Sequence, residues 1–336
     1  MKNRLLFPII FPIIFPFIFP FIFSACSNFS GNEDEVEASL KPSTSPPSEE
    51  DEEDTPTTTK YYHLNGITFG NNTFVAVGEG GTVRYSSDNG SSWDNGTRGT
   101  TSKLNEIAYG NSTFVAVGKS GTNLYSSDNG VSWDNGTWGR EDDFTGVAFG
   151  NNTFIGVSEE YLTRSTDNGS NWTLIGSGLK VIDLAFGNSR FLGCGKKAAL
   201  IYTDNEGDSW STSILSGAKT ATLNGVTFGN NQLFSVGTDG KFIRSTDNGD
   251  NFVDRDPGQA VSRDLDSIVI GNNTFVAVGS NTVIVSTDNG SNFIEKKTTL
   301  SFNDVTFGNG VFVAVGNDEI IYTSTDGNDW TQVHGK

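Results

Sequence analysis

Beyond residue 60 the chain alternates apolar and polar positions with period two, in short bursts separated by Gly and Asn. The first pair of bursts reads LNGITFGNNTFVAVG from Leu64 to Gly78, and its pattern returns at Leu104, Phe144, Val181, Leu223, Leu265 and Phe302. Each burst is four to six residues long and rich in Val, Ile, Thr, Phe and Tyr, which fits a strand covered on at least one face and does not fit a 3.6-residue helix. Each copy divides into four predicted strands: A (the Asn65–Phe69 type), B (Thr73–Val77), C (Thr82–Ser86) and D, starting near Trp93. Gly-Asn-Asn joins A to B and Ser-x-Asp-Asn-Gly joins C to D; these residues tolerate the positive φ that tight hairpins demand.

The glycine closing strand A marks the period: Gly70, Gly110, Gly150, Gly187, Gly229, Gly271 and Gly308 lie 40, 40, 37, 42, 42 and 37 residues apart. Four strands in about 40 residues is the length of a propeller blade. One such blade cannot bury both faces, whereas seven set radially can, with most edges protected. The pattern therefore predicts an all-β, seven-bladed β-propeller over residues 61–336. A β-solenoid is the competing arrangement, but its rungs are usually shorter. Every copy keeps its own strand D, so the ring closes simply or Lys60–His63 adds an edge strand to the last blade.

The C–D turn repeats as Ser86-x-Asp88-x-Gly90-x-x-Trp93, with Asp128, Asp167, Asp247 and Asp288 in the same place in other copies. Asn205 replaces the acid in the fourth copy, and the seventh, around Asp326, is one residue shorter. This resembles the Asp-box, or bacterial neuraminidase repeat, and the chain looks most like the photosystem II stability/assembly factor type of repeat protein. The resemblance implies that these Asp residues are folding devices: the carboxylate accepts backbone N–H groups of its own loop while the aromatic fills the space between sheets. Sialidases share the turn, so a sialidase-like glycoside hydrolase is the alternative function. That chemistry needs an Arg cluster, a Tyr–Glu pair and an Asp acid/base. The family's Arg-Ile-Pro segment is absent, and Arg164 and Arg244 take a strand C position held elsewhere by Tyr85 and Tyr125.

The N-terminus follows another logic. Lys2 and Arg4 precede an apolar stretch, and Phe23-Ser24-Ala25-Cys26 resembles a bacterial lipobox. Residues 1–25 read as a lipoprotein-type signal peptide, with Cys26 as the lipidated first mature residue. Pro8, Pro12, Pro16 and Pro20 disfavour a permanent membrane helix, which stays an alternative beside a cleaved, non-lipidated signal. Residues 26–60 are rich in Ser, Pro, Thr and acid, too polar to fold alone. They read as a tether of about 30 Å mean span. The expected location is the bacterial envelope, with the chain anchored through its lipid and facing periplasm or cell surface.

Net charge is −18, and no Lys/Arg cluster offers a phosphate-binding surface, which argues against nucleic acid. Cys194 falls in the apolar row of strand B and reads as a buried small hydrophobe. With no catalytic constellation, the reading is a non-enzymatic, monomeric propeller that binds an envelope protein or a glycan. The A–B and C–D turns share one face of the disc and barely vary between copies; the B–C and D–A connections share the other and do vary. Candidate contacts on that variable face are Trp138 (where the first copy has Arg98), Arg140, Lys196, Lys197, Arg255 and Arg263. At the channel mouth a polar ring of Glu106, Asp183, Asp266 and Asp304 suits a hard cation such as calcium, although propeller channels are commonly polar without function. No cofactor is otherwise implied.

Overall fold

Seven antiparallel sheets succeed one another along the chain, each in the order A-B-C-D. The computed structural model describes residues 62–216, 221–254 and 263–336. Strands A run Leu64–Gly70, Leu104–Gly110, Phe144–Gly150, Val181–Gly187, Leu223–Gly229, Leu265–Gly271 and Phe302–Gly308 and line the axis of a seven-bladed β-propeller. Strands B, such as Thr73–Gly78 and Thr113–Gly118, are buried throughout, apart from the first residues Arg190 and Val311 in blades 4 and 7. A neighbouring blade covers each of their faces, which is why the sequence there reads as an apolar run.

The core is a circular series of seven apolar clusters, one at each junction between blades. Each takes strands B and C of one blade, strands A and B of the next, and the aromatic that follows the next blade's C–D turn. Phe74, Phe114, Phe154, Phe191, Phe234, Phe275 and Phe312 are all at most 1% exposed. Burying each stabilises the ring by about 1.5–3 kcal/mol.

The periodic glycine has a steric cause. A Cβ on Gly70 would lie 2.1 Å from the Tyr109 ring, and one on Gly150 2.1 Å from the Phe186 ring. The same aromatic-on-glycine stack recurs around the ring, with Ile270 in place of the aromatic over Gly229, and closes with Phe69 on Gly308. Near the axis the blades approach too closely for a second side chain.

Blade 7 (302–334) keeps four strands of its own, and among the described residues Tyr62 and His63 add no strand to it; Lys60 and Tyr61, the other half of the expected edge strand, lie outside the described residues. The joint between blades 7 and 1 is made by side chains. Asn303 donates to the Leu64 carbonyl (2.7 Å), Asp304 accepts from Ile67 N–H (2.7 Å), and Arg84 pairs with Glu319 (2.5 Å). Glu319 also accepts from Tyr62 N–H.

One sheet departs from the four-strand pattern. Ile214–Ser216, expected as part of a connection, pairs in parallel with Asn251–Val253 and makes blade 5 (223–254) five-stranded. It follows a strand D of only two residues, Ser211–Thr212; blades 1 and 2 have equally short strands D, Asp94–Asn95 and Asp134–Asn135, without an added strand. Thr137 makes an abbreviated version of this crossing by bridging to Asn171.

Candidate functional site

The B–C turns and D–A connections do meet on one face. Gly121 N–H donates to the Asp142 carbonyl (3.0 Å), Ser120 N–H to the Asp143 carboxylate (2.8 Å), and Asp239 N–H to Asp264 (2.9 Å). On this face Trp138 is half-buried, its ring 6.0 Å from Phe144 in the cluster between blades 2 and 3. Arg140 is exposed and lies 5.8 Å from the Trp138 ring centre and 4.6 Å from that of Tyr161. Each such stack adds about 0.5–1 kcal/mol at an exposed site. Blade 1 has a counterpart, with Arg98 4.9 Å over Tyr62. Tyr161 was not among the residues expected from sequence. Its signal was an aromatic opening strand C where sibling copies carry Thr82 and Thr122.

Lys196 pairs with Glu159 (2.6 Å), linking the B–C turns of blades 3 and 4, and this contact lowers the Glu159 pKa. Lys197 is exposed with a left-handed backbone (φ 58°), and Arg263 is half-buried just before blade 6 (265–297). Arg255 and Cys26 lie outside the described residues. Trp138, Arg140 and Tyr161 thus form one aromatic–cation cluster, while Lys196 is engaged by its own acid.

The central channel holds a cavity of about 270 Å³ lined by Glu106, Asp183, Ser267 and Asp304. Asp266 is a correction to the expected ring: it is not among the lining residues. The register shift between Leu265 and Ser267 places residue 266 in a bulge and turns Ser267 inward. At the Asp266 position other blades carry Asn65, Asn105, Asn224 and Asn303, each donating to the carbonyl that opens the next blade's strand A. Burial, then the charge of Asp264, raises the Asp266 pKa to about 6.

The acids in the channel bind backbone. Asp183 accepts from Leu184 N–H (2.7 Å) and, across the junction, from Val226 N–H (2.9 Å). Asp304 accepts from Val305 N–H, Ile67 N–H and the Ser267 hydroxyl (2.6 Å). Glu106 accepts from its own neighbour, Ile107 N–H (2.8 Å). Burial pushes Asp183 up to about 7 and Asp304 to about 6, against the pull of these hydrogen bonds. Glu106 is raised well above the usual carboxylate range by burial and by the charges of Asp304 and Asp183. Among the described residues no three His, Cys, Asp or Glu side chains gather as a metal-ligating group.

On the opposite face the Asp turns are self-contained. Asp88 accepts from Ser92 N–H (2.9 Å), the Ser92 hydroxyl and the Ser86 hydroxyl, and these bonds lower its pKa to about 2. Asp128, Asp167, Asp247 and Asp288 repeat the pattern. Asn205 keeps it, accepting from Ser209 N–H (3.1 Å), and Asp326 does so from Asn328 and Asp329 N–H in the shortened turn. Arg164 points outward to this face, bonded to Asp208 (2.6 Å) and the Glu206 carbonyl, away from the channel. Cys194 is fully buried, and burial raises its thiol pKa.

The fold places the chain among the β-propellers. No family model and no curated protein matches the sequence. Among solved structures it is similar to YCF48 bound to D1 peptide, at TM-score 0.65 and 16% identity, covering 78% of this chain and 91% of that one. YCF48 from Cyanidioschyzon merolae gives 0.62 and 14%, covering 78% and 94%. The WD40 propeller domain of Doa1 gives 0.63 and 16%, covering 79% and 93%. At such identities the likeness is one of fold.

Proposed function

We propose that this chain is an exported, lipid-anchored propeller that acts as a non-enzymatic binding or scaffold module at the bacterial envelope, with a protein or glycan as its ligand. The observation that carries the reading is the asymmetry of the disc. One face repeats the same self-satisfied Asp turn, which supports an Asp-box reading of the repeat. The other presents varied loops with exposed Arg140 stacked on Trp138 and Tyr161. Aromatic and Arg side chains together form the contacts that dominate many interfaces. A structurally similar propeller, YCF48, is bound to a peptide, which supports a protein ligand by analogy of fold alone.

The test is to bait envelope extracts and glycan arrays with the full-length protein and with Arg140→Glu, a change at an exposed position. A ligand retained by the wild type and lost by the variant supports the reading. Turnover of a fluorogenic sialoside, or no enrichment above a loop-scrambled control, overturns it. Anchoring is tested separately by metabolic lipid labelling, which Cys26→Ser should abolish.

A further inference from the structure

Around the outer ring each blade sends a side chain from strand C toward the C–D turn of the next blade. The residue is Tyr85, Tyr125, Arg164, Tyr202, Arg244, Val285 or Thr323 in blades 1 to 7. At the blade 3–4 seam Arg164 bonds the Glu206 carbonyl (3.3 Å) and the Asp208 carboxylate (2.6 Å). At the blade 4–5 seam the guanidinium comes from Arg190, at the start of strand B. It bonds the Asn248 carbonyl (2.8 Å) and Asp250 (2.6 Å), and lies 3.9 Å over the Tyr202 ring. Two seams are therefore closed by an arginine bound to the same turn carbonyl and to the residue two further on.

The seam between blades 7 and 1 lacks both fillers. Thr323 stands where Tyr202 does, Val311 stands where Arg190 does, and a cleft of about 490 Å³ opens between them and the turn Asn89-Gly90-Ser91. Asn89 and Ser91 hold the places of Asn248 and Asp250. Asn89 Oδ1 is buried with no hydrogen-bond partner, as Asn248 Oδ1 is in the seam that Arg190 closes. Asp329 supplies a carboxylate to the cleft wall, beside the aliphatic surfaces of Val311 and Val333. Apolar walls, a turn carbonyl and a nearby carboxylate suit a guanidinium on an alkyl stem. The chain's charge of −18 favours a cation there over a neutral ring.

We propose that the blade 7–1 seam is a docking cleft for an arginine side chain presented by a protein partner, which completes from outside the contact that Arg164 and Arg190 make within the ring. It lies at the constant-face turns, so it is independent of the variable-face reading.

The probe is a set of short acetylated peptides carrying one central Arg, citrulline, Lys or Tyr, titrated into the full-length protein with NMR detection at Asn89, Ser91 and Thr323. Saturable shifts with the Arg peptide are expected. The citrulline peptide, which keeps the shape but not the charge, should bind about tenfold more weakly. Thr323→Arg copies the Arg164 arrangement. It should raise Tm by roughly 2 °C and abolish the shifts. Ser91→Lys, at an exposed position, should abolish them without a change in Tm. Equal binding of Arg and citrulline peptides, tighter binding of the Tyr peptide, no shift at the seam, or undiminished binding by Ser91→Lys would overturn the proposal.

Discussion

Replacing Glu319 by Gln tests how the ring is held shut. Glu319 is 3% exposed and Arg84 13%, so the pair between blades 7 and 1 is shielded from solvent. Glu319 Oε2 receives Arg84 Nη2 at 2.5 Å, and Oε1 receives Tyr62 N–H at 3.1 Å. Gln keeps the volume and an acceptor for Tyr62 but leaves the guanidinium charge buried, with the Val83 carbonyl (3.0 Å) still accepting from Nη1. Charge centres about 4 Å apart at an effective dielectric near 20 interact by about 4 kcal/mol. Breaking one side of a buried pair typically costs 3–5 kcal/mol. The expected loss for Glu319→Gln is therefore about 3–4 kcal/mol in urea denaturation at pH 8. Arg84→Met should lose a similar amount, and the double variant far less than the two together. Lys119→Ala is the control: its pair with Asp143 spans 4.0 Å with both partners more than half exposed, and should contribute under about 1 kcal/mol. Losses below 1 kcal/mol for Glu319→Gln, or additive losses in the double variant, would refute the clasp.

Three further outcomes follow from the geometry. Gly150→Ala places a Cβ 2.1 Å from Phe186 and should cost about 1–3 kcal/mol, read from the denaturation midpoint. The channel acids bind protons more tightly folded than unfolded, so their contribution is complete below pH 4 and is lost as pH rises through their folded values. With Asp183 at about 7 and Asp304 at about 6, Tm should fall between pH 5 and 8. Glu106→Gln should flatten that slope by removing one charge of the cluster. Asp167→Asn should change stability by less than about 0.5 kcal/mol, because Asn205 already performs the same task, whereas Asp167→Ala should cost about 1 kcal/mol, both by thermal melts.

The repeat made the ring, the blade order and the inward aromatics legible, because period-two patterning and turn chemistry act locally. Cys194 was legible for the same reason: its row in strand B has no solvent face. Asp266 was not, because the bulge that opens every strand A separates the side chains of its second and third residues, and Asp266 is a second residue whereas Glu106, Asp183 and Asp304 are third ones. Nor was the parallel strand Ile214–Ser216, whose partner lies in the next blade rather than its own. Trp138 stood out as an edited residue, but its packing on Phe144 and its stacking with Arg140 depend on how far a connection folds back over the next blade.

The edits between copies make more sense in pairs across a seam than along the chain. The turn position two after Asn89 carries an acid only in Asp208 and Asp250, and each acid faces an arginine from the preceding blade. Where the preceding blade offers Tyr85 or Tyr125, the same position is Val131 or Ser170. Seven nearly identical blades can pack in wrong orders at little cost in apolar burial, since every junction buries the same kinds of side chain. A charged pair that fits only its own neighbour disfavours those alternatives, because a misplaced blade forfeits the Arg164–Asp208 or Arg190–Asp250 bond, although Arg190 also keeps Asp204 of its own blade. The seams marked by Arg164 and Arg190 therefore set register, and the seam at Thr323, where the first and last blades meet, takes its register from the Arg84–Glu319 clasp instead. That division of labour leaves the turn at Asn89 without an internal filler.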